Sequence, residues 1–178
     1  SGTSLWMQML KVGGMPVLTD EIRRPDEDNP RGYLELEAVK RIREDSRWLE
    51  RAKGHAVKVV APLLCDLPSQ FRYAVIFSQR DLAEISSSQT VMLKRRGQES
   101  HANPELTDAF AHALAHAVNW VQESPNVRAL FLDYPEVLRD PFEAAVSVTG
   151  FLSAELDPGA MARAVVPHLY RQSHSTVQ

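Results

Sequence analysis

Three short apolar segments, separated by longer helical patterns, most constrain the fold of this 178-residue chain. They span residues 55–61, 73–78 and 127–133, and β-branched, aromatic and aliphatic side chains fill them. Short strands of this kind that alternate with helices are typical of a parallel sheet covered by helices. The sequence therefore predicts an α/β fold, with a three-layer parallel sheet flanked by helices, in a single domain over residues 1–178.

The helical patterns are recognised by apolar residues at intervals of three or four and by Gly or Pro at their ends. The first begins just after Ser4. A long loop over residues 14–33 follows, because Gly and Pro interrupt any period there. The remaining predicted helices span residues 34–53, 82–94, 106–121, 140–151 and 159–165, with a polar loop over 97–104.

Composition excludes several classes of protein. Hydrophobic residues make up 44% of the chain and charged residues 24%, which is typical of a globular domain. A net charge of −3 argues against general nucleic-acid binding. No apolar run approaches the roughly 18 residues of a membrane span. The single cysteine, Cys65, cannot form an internal disulfide, so we expect a reducing compartment and a cytoplasmic location.

The first four residues, Ser1, Gly2, Thr3 and Ser4, form a small, hydroxylated turn that leads directly into an apolar helix. Free backbone N–H groups at a helix start, together with the helix dipole, favour an anion. Glycine allows the backbone to approach a ligand closely, and the hydroxyls add donors. This pattern predicts a cradle for a phosphate or phosphosulfate. An ordinary helix with a Ser or Thr cap has the same pattern.

A second anion site is predicted after the strand at residues 73–78. Ligands of parallel sheets bind outside the carboxyl ends of the strands, where Arg80 stands, and Ser88 follows two helical turns later. A guanidinium and a hydroxyl that converge there suit a second phosphate. Alternatively, Arg80 forms a salt bridge with Asp81 or Glu84 at the start of the next helix.

These segments together resemble the sulfotransferases that use 3′-phosphoadenosine 5′-phosphosulfate (PAPS), and most closely bacterial sulfotransferase-like proteins. Residues 1–4 resemble their 5′-phosphosulfate loop, and residues 80–89 resemble their 3′-phosphate motif. The resemblance implies a P-loop nucleotide-hydrolase-like sulfotransferase fold, binding of PAPS and of its product adenosine 3′,5′-bisphosphate (PAP), and sulfuryl transfer to a hydroxyl or amine of a small-molecule or biopolymer acceptor. Further matches are residues 14–17, 29–33, Lys58 with Pro62, 67–68 and 133–134.

The chain departs from that family in three places. Family members carry a basic residue before the phosphosulfate loop, so we expect a basic residue and a short apolar strand upstream of Ser1. Many cytosolic members have a catalytic His two residues after the Lys that corresponds to Lys58, and Val60 stands there instead. Their glycine-rich C-terminal cofactor motif is absent.

Without that His, another group must deprotonate the acceptor. Other branches of the family use a carboxylate from the segment after the first helix, which points to Glu27, then Asp28, with Glu35 as a further candidate. A neighbouring carboxylate raises the pKa of such a base, whereas nearby arginines lower it. The alternative is that these acidic residues are ordinary surface charges.

Two other functions compete with sulfuryl transfer. A sulfotransferase-like domain that binds nucleotide or a partner without turnover agrees with the missing His. A P-loop kinase agrees less well, because no Lys follows Gly2, Thr3 and Ser4 as its motif requires. We expect no metal site: His112 and His116 lie four residues apart on a helix, but a third ligand is not evident.

Overall fold

The computed structural model describes residues 2–20, 22, 23, 29, 31–79 and 104–166, the side chains of 104–107 excepted. None of the described helices is both long and apolar enough to cross a membrane. Two short 3₁₀ helices, Glu37–Arg41 and Ala61–Asp66, accompany the regular elements. The α-helices of the described residues are α1 (Thr3–Val12), α2 (Leu49–Ala52), α3 (Pro104–Glu123), α4 (Tyr134–Arg139), α5 (Pro141–Leu152) and α6 (Pro158–Arg163).

Strands β1 (Tyr73–Gln79) and β2 (Val127–Asp133) form a parallel pair. Tyr73 lies opposite Val127 and Gln79 opposite Asp133. The rings of Phe77 and Phe131 pack across the pair with their centroids 5.2 Å apart. The mixed α/β class and the parallel arrangement of these two strands are therefore confirmed.

Two hydrophobic clusters hold the elements together. In the first, α1 packs on α5 and α6, where Met9, Val148 and Met161 have no exposed surface. In the second, α3 and the 3₁₀ helices cover the other side of the strands, with Ala117 and Phe77 at the centre. Because residues 5–10 of α1 are all buried, its first turn is held in a fixed place beside the carboxyl ends of the strands.

The prediction of a strand over residues 55–61 is wrong. The structure has a single parallel bridge there, between Val17 and Ala56. Pro16 accepts a hydrogen bond from the backbone N–H of Ala56, and no other described segment pairs with residues 57–60. Ala61 then begins a 3₁₀ helix, which ends the extended segment. β-branched composition alone does not form a strand, and the described part of the chain offers these residues no neighbouring strand.

The single amphipathic helix predicted over residues 34–53 is also wrong. The structure divides it into the first 3₁₀ helix and α2. Between them, the Asp45 carboxylate accepts from the backbone N–H and the guanidinium of Arg47, an Asx turn that competes with helix. Val39 and Ile42 are nevertheless buried, so the apolar spacing identified the core face and not the backbone type. The predicted helix over 82–94 and residues 97–103 of the predicted loop lie outside the described residues.

Candidate functional site

The amino end of α1 is entered through Gly2, which has a left-handed φ of +67°. The Gly2 carbonyl accepts hydrogen bonds from the backbone N–H groups of Leu5 and Trp6, at 3.0 and 3.3 Å. The N-cap residue is Gly2, which has no side chain to accept from the first turn, so the alternative of an ordinary Ser or Thr N-cap is wrong. The backbone N–H groups of a first turn and the positive end of a helix dipole favour an anion.

Glycine at position 2 is required by close packing as well as by conformation. A Cβ there would overlap the ring of Tyr134, at the start of α4, and would lie 2.8 Å from Ser78 Oγ, near the end of β1. The start of α1 is therefore pressed against the carboxyl ends of both strands. Ser78 Oγ is buried and has no hydrogen-bond partner among the residues that the structure describes. The strand-end rule places residues 78–80 near the loop, and residues 133–134 belong to the family resemblance, but neither Ser78 nor Tyr134 was predicted as a site residue.

Lys58 brings a positive charge to the same place. Its side chain is only 9% exposed, and its ammonium donates to Ser4 Oγ at 3.1 Å and to the Tyr33 carbonyl at 3.4 Å. Its third partner is Glu35 Oε1, at 2.9 Å. A buried ammonium with three oxygen acceptors has a fixed position, because all three of its donors are used. The sequence indicated Lys58 only as part of the family resemblance, not as a site residue.

Glu35 joins Lys58 to a second cation. Arg23 Nη1 lies 3.1 Å from Glu35 Oε1, and the Arg23 guanidinium stacks 3.3 Å above the Tyr33 ring. Burial raises the pKa of Glu35, but the hydrogen bond and charge of Lys58, with the charge of Arg23, outweigh burial and hold this pKa below its usual value. Glu35 is therefore ionised at neutral pH. We call Ser4, Arg23, Tyr33, Glu35 and Lys58 the Lys58 cluster.

The structure thus brings Gly2, Thr3 and Ser4 of the predicted phosphate loop together with Lys58 and Glu35. Val60, two residues after Lys58, is 52% exposed. The other predicted site residues lie outside the described residues: Ser1, Glu27, Asp28, Arg80 and Ser88.

The only cysteine lies away from this site, on the second 3₁₀ helix. Cys65 Sγ is 3.2 Å from His116 Nδ1 on α3, and burial, with the charge of Asp66, raises the pKa of the thiol. A thiol with a raised pKa is a weak nucleophile. Among the residues that the structure describes, no three His, Cys, Asp or Glu side chains are grouped so that they could hold a metal ion.

No family model, curated protein or solved structure matches this chain. Its function is therefore inferred from the geometry at the start of α1.

Proposed function

We propose that this protein transfers a sulfuryl group from PAPS to a hydroxyl or amine of an acceptor. The observation that carries the proposal is the position of Lys58 Nζ, 3.1 Å from Ser4 Oγ in the first turn of α1. A phosphosulfate suits this place because a helix start, a glycine that lets the backbone come close to a ligand, and a fixed ammonium lie together. The finer fold that goes with this proposal is a three-layer P-loop sulfotransferase sheet.

Each residue has a distinct part in this proposal. Gly2 lets the backbone approach the 5′-phosphosulfate, and Thr3 and Ser4 contribute amides and hydroxyls. PAPS supplies the sulfuryl group, whose bond to the bridging oxygen breaks as a bond to the acceptor oxygen or nitrogen forms. The charge of the Lys58 ammonium would stabilise the negative charge that develops on the departing 5′-phosphate oxygen.

The acceptor proton must pass to a base, for which we propose Glu27, then Asp28. Glu35, the third candidate, is a poor choice because Lys58 and Arg23 depress its pKa and so weaken it as a proton acceptor. Its proposed part is to position Lys58. The 3′-phosphate is assigned to Arg80 and Ser88, which follow the carboxyl end of β1 in the sequence.

Ligand binding tests the proposal first. We expect PAP to raise the melting temperature much more than adenosine 5′-monophosphate or ATP with magnesium. Arg80→Ala should erase most of the preference for the 3′-phosphate, since a charge-assisted contact is worth about 1.5–3 kcal/mol, or roughly 10- to 150-fold in affinity. Arg72→Ala, which removes an exposed arginine just before β1, is the matched control. A preference for ATP with magnesium would reject the assignment.

Turnover tests the chemistry. The protein should release PAP from PAPS faster when pooled hydroxyl and amine acceptors are present than when they are absent. Glu27→Gln should lower this rate by about 10²- to 10⁴-fold and leave PAP affinity nearly unchanged, because it removes proton transfer and little binding. An unchanged rate would exclude Glu27 and direct the same test to Asp28.

The exposed Val60, where cytosolic sulfotransferases have their catalytic His, favours a second candidate. In this alternative the domain binds the nucleotide, or a partner, without turnover. Tight PAP binding with no acceptor-dependent release of PAP from PAPS would identify it.

A further inference from the structure

A cavity of about 540 Å³ opens at the carboxyl-terminal end of α1, against α6. Its volume falls within the range of roughly 300–1,000 Å³ that is usual for small-molecule sites. Lys11 on α1 lines it, seven residues along the helix from Ser4. At 1.5 Å per residue this separates the cavity from the start of α1 by about 10 Å. The Lys11 side of the cavity is therefore separate from the start of α1, although Leu34 on the opposite wall stands between Tyr33 and Glu35 of the Lys58 cluster in the sequence.

Positive charge dominates the cavity. Lys11, Arg31 and Arg163 line it, and none of its described lining residues is acidic. Arg163 has a long ion pair with Asp157, 3.9 Å and largely exposed, which is a weak interaction. Arg31 donates from Nη1 to the Ala164 carbonyl at the end of α6, and a guanidinium has further donors for a second acceptor.

The remaining wall is apolar and includes a strained residue. Val12 is 52% exposed although it is a large hydrophobic residue. Leu34 has a left-handed φ of +49°, which is rare for a bulky side chain. Gln8, only 8% exposed, donates from Nε2 to Asn29 Oδ1 and to the Gly32 carbonyl, and so holds this loop on α1. Strain of this kind clusters where a loop clamps a ligand.

We propose that this cavity binds an organic anion with an apolar body and one carboxylate or sulfate head. The apolar body lies against Val12 and Leu34, and the head lies between the Lys11 and Arg163 side chains, with Arg31 behind it. An apolar wall with a few converging polar groups is the usual composition of such a site. The competing explanation is that these cations only complement the negative ends of the α1 and α6 dipoles.

Titration calorimetry with naphthalene-2-sulfonate tests the proposal. We expect one saturable site, and binding about tenfold weaker for 2-naphthol, which lacks the anionic head, and for inorganic sulfate, which lacks the apolar body. Lys11→Gln/Arg163→Gln should weaken sulfonate binding about tenfold, because two exposed charge contacts are lost. The matched control Arg51→Gln/Lys53→Gln removes two exposed cations from the region of α2 and should leave the affinity within about twofold.

Saturating PAP should leave sulfonate binding unchanged, because the two sites lie at opposite ends of α1. Displacement by PAP would place the probe at the start of α1 and overturn the proposal. Equal loss in both double variants, equal binding of 2-naphthol, or no saturable binding up to about 10 mM would also overturn it, and would leave the helix-dipole explanation. None of these binding results depends on whether the protein transfers a sulfuryl group.

Discussion

Replacing Glu35 with glutamine removes the carboxylate that holds Lys58 in place. The Lys58 side chain is 9% exposed and the Glu35 side chain 24%, and their polar atoms are 2.9 Å apart. In Glu35→Gln the ammonium keeps three oxygen neighbours but loses the only ionised one. A buried charge without its counterion destabilises the folded state more than a missing neutral hydrogen bond does.

The magnitude follows from this partial burial. Breaking a fully buried ion pair costs about 3–5 kcal/mol, and a hydrogen bond to a charged group is worth about 1.5–3 kcal/mol. Because Glu35 is a quarter exposed and glutamine still accepts a hydrogen bond, we expect a loss of about 2 kcal/mol in the free energy of unfolding. For a chain of 178 residues this lowers the melting temperature by about 4–8 °C.

Thermal and urea unfolding measure this loss, with Glu37→Gln as the matched control. Glu37 makes the same kind of contact, to Lys40 at 2.8 Å, but both side chains are about half exposed or more, so its loss should cost less than about 0.5 kcal/mol. Replacing both partners, in Glu35→Leu/Lys58→Met, should recover part of the lost stability because the buried charge of Lys58 is then removed as well. If Glu35→Gln and Glu37→Gln cost the same, the proposed anchoring of Lys58 is wrong.

The pH dependence gives an independent check of the same pair. Because the pKa of Glu35 is depressed in the folded state, its contribution is fully present above the pKa of the unfolded chain and is lost as pH falls through the folded pKa. The difference in stability between the parent protein and Glu35→Gln should therefore be largest near neutral pH. It should shrink below about pH 4. A difference that stays constant from pH 7 to about pH 2 would contradict this account.

Three further predictions concern the frame around the site. Gly2→Ala should lower stability and PAP affinity together, and by more than Gly54→Ala, because both glycines have positive φ but only a Cβ at position 2 meets neighbouring atoms. Denaturation and calorimetry on the two variants measure the difference. Met9→Ala should cost about 2–5 kcal/mol in urea unfolding, whereas Val146→Ala on the exposed face of α5 should cost far less. Asp140→Ala removes the cap of α5 and should cost about 1 kcal/mol in the same assay.

The sequence predicted elements well where local pattern and tertiary environment agree. The 127–133 strand was placed at its observed bounds, and the start of α1 was found from its turn and its apolar spacing. Prediction failed where a partner element decides the backbone. Residues 55–61 have strand composition but only one bridge, and residues 34–53 have helical spacing around an Asx turn. Neither strand pairing with a distant segment nor a hydrogen bond from a side chain to the backbone follows from side-chain composition.

The site was predicted in part for the same reason. Gly2 is the N-cap of α1 and Ser4 lies in its first turn, so a local pattern identified them. Lys58 lies 54 positions from Ser4, and only the fold brings its ammonium to that hydroxyl. Glu35 was predicted as a candidate base, but its pKa depends on Lys58 and Arg23. These two residues lie far from Glu35 in the sequence, so a local pattern cannot predict their positions.

The charge balance of the Lys58 cluster supports the proposal of an anion site at the start of α1. Lys58 and Arg23 contribute two positive charges, and Glu35 contributes one negative charge, so the cluster carries a net positive charge in addition to the helix dipole. Because Glu35 holds both cations, they need not be reorganised when a ligand arrives, and a preorganised charge stabilises an anion more effectively than a mobile one. In the proposed site the same carboxylate would also limit affinity, because it would compete with the ligand for Lys58. We therefore expect Glu35 to increase the stability of this helix start and to reduce the strength of anion binding there.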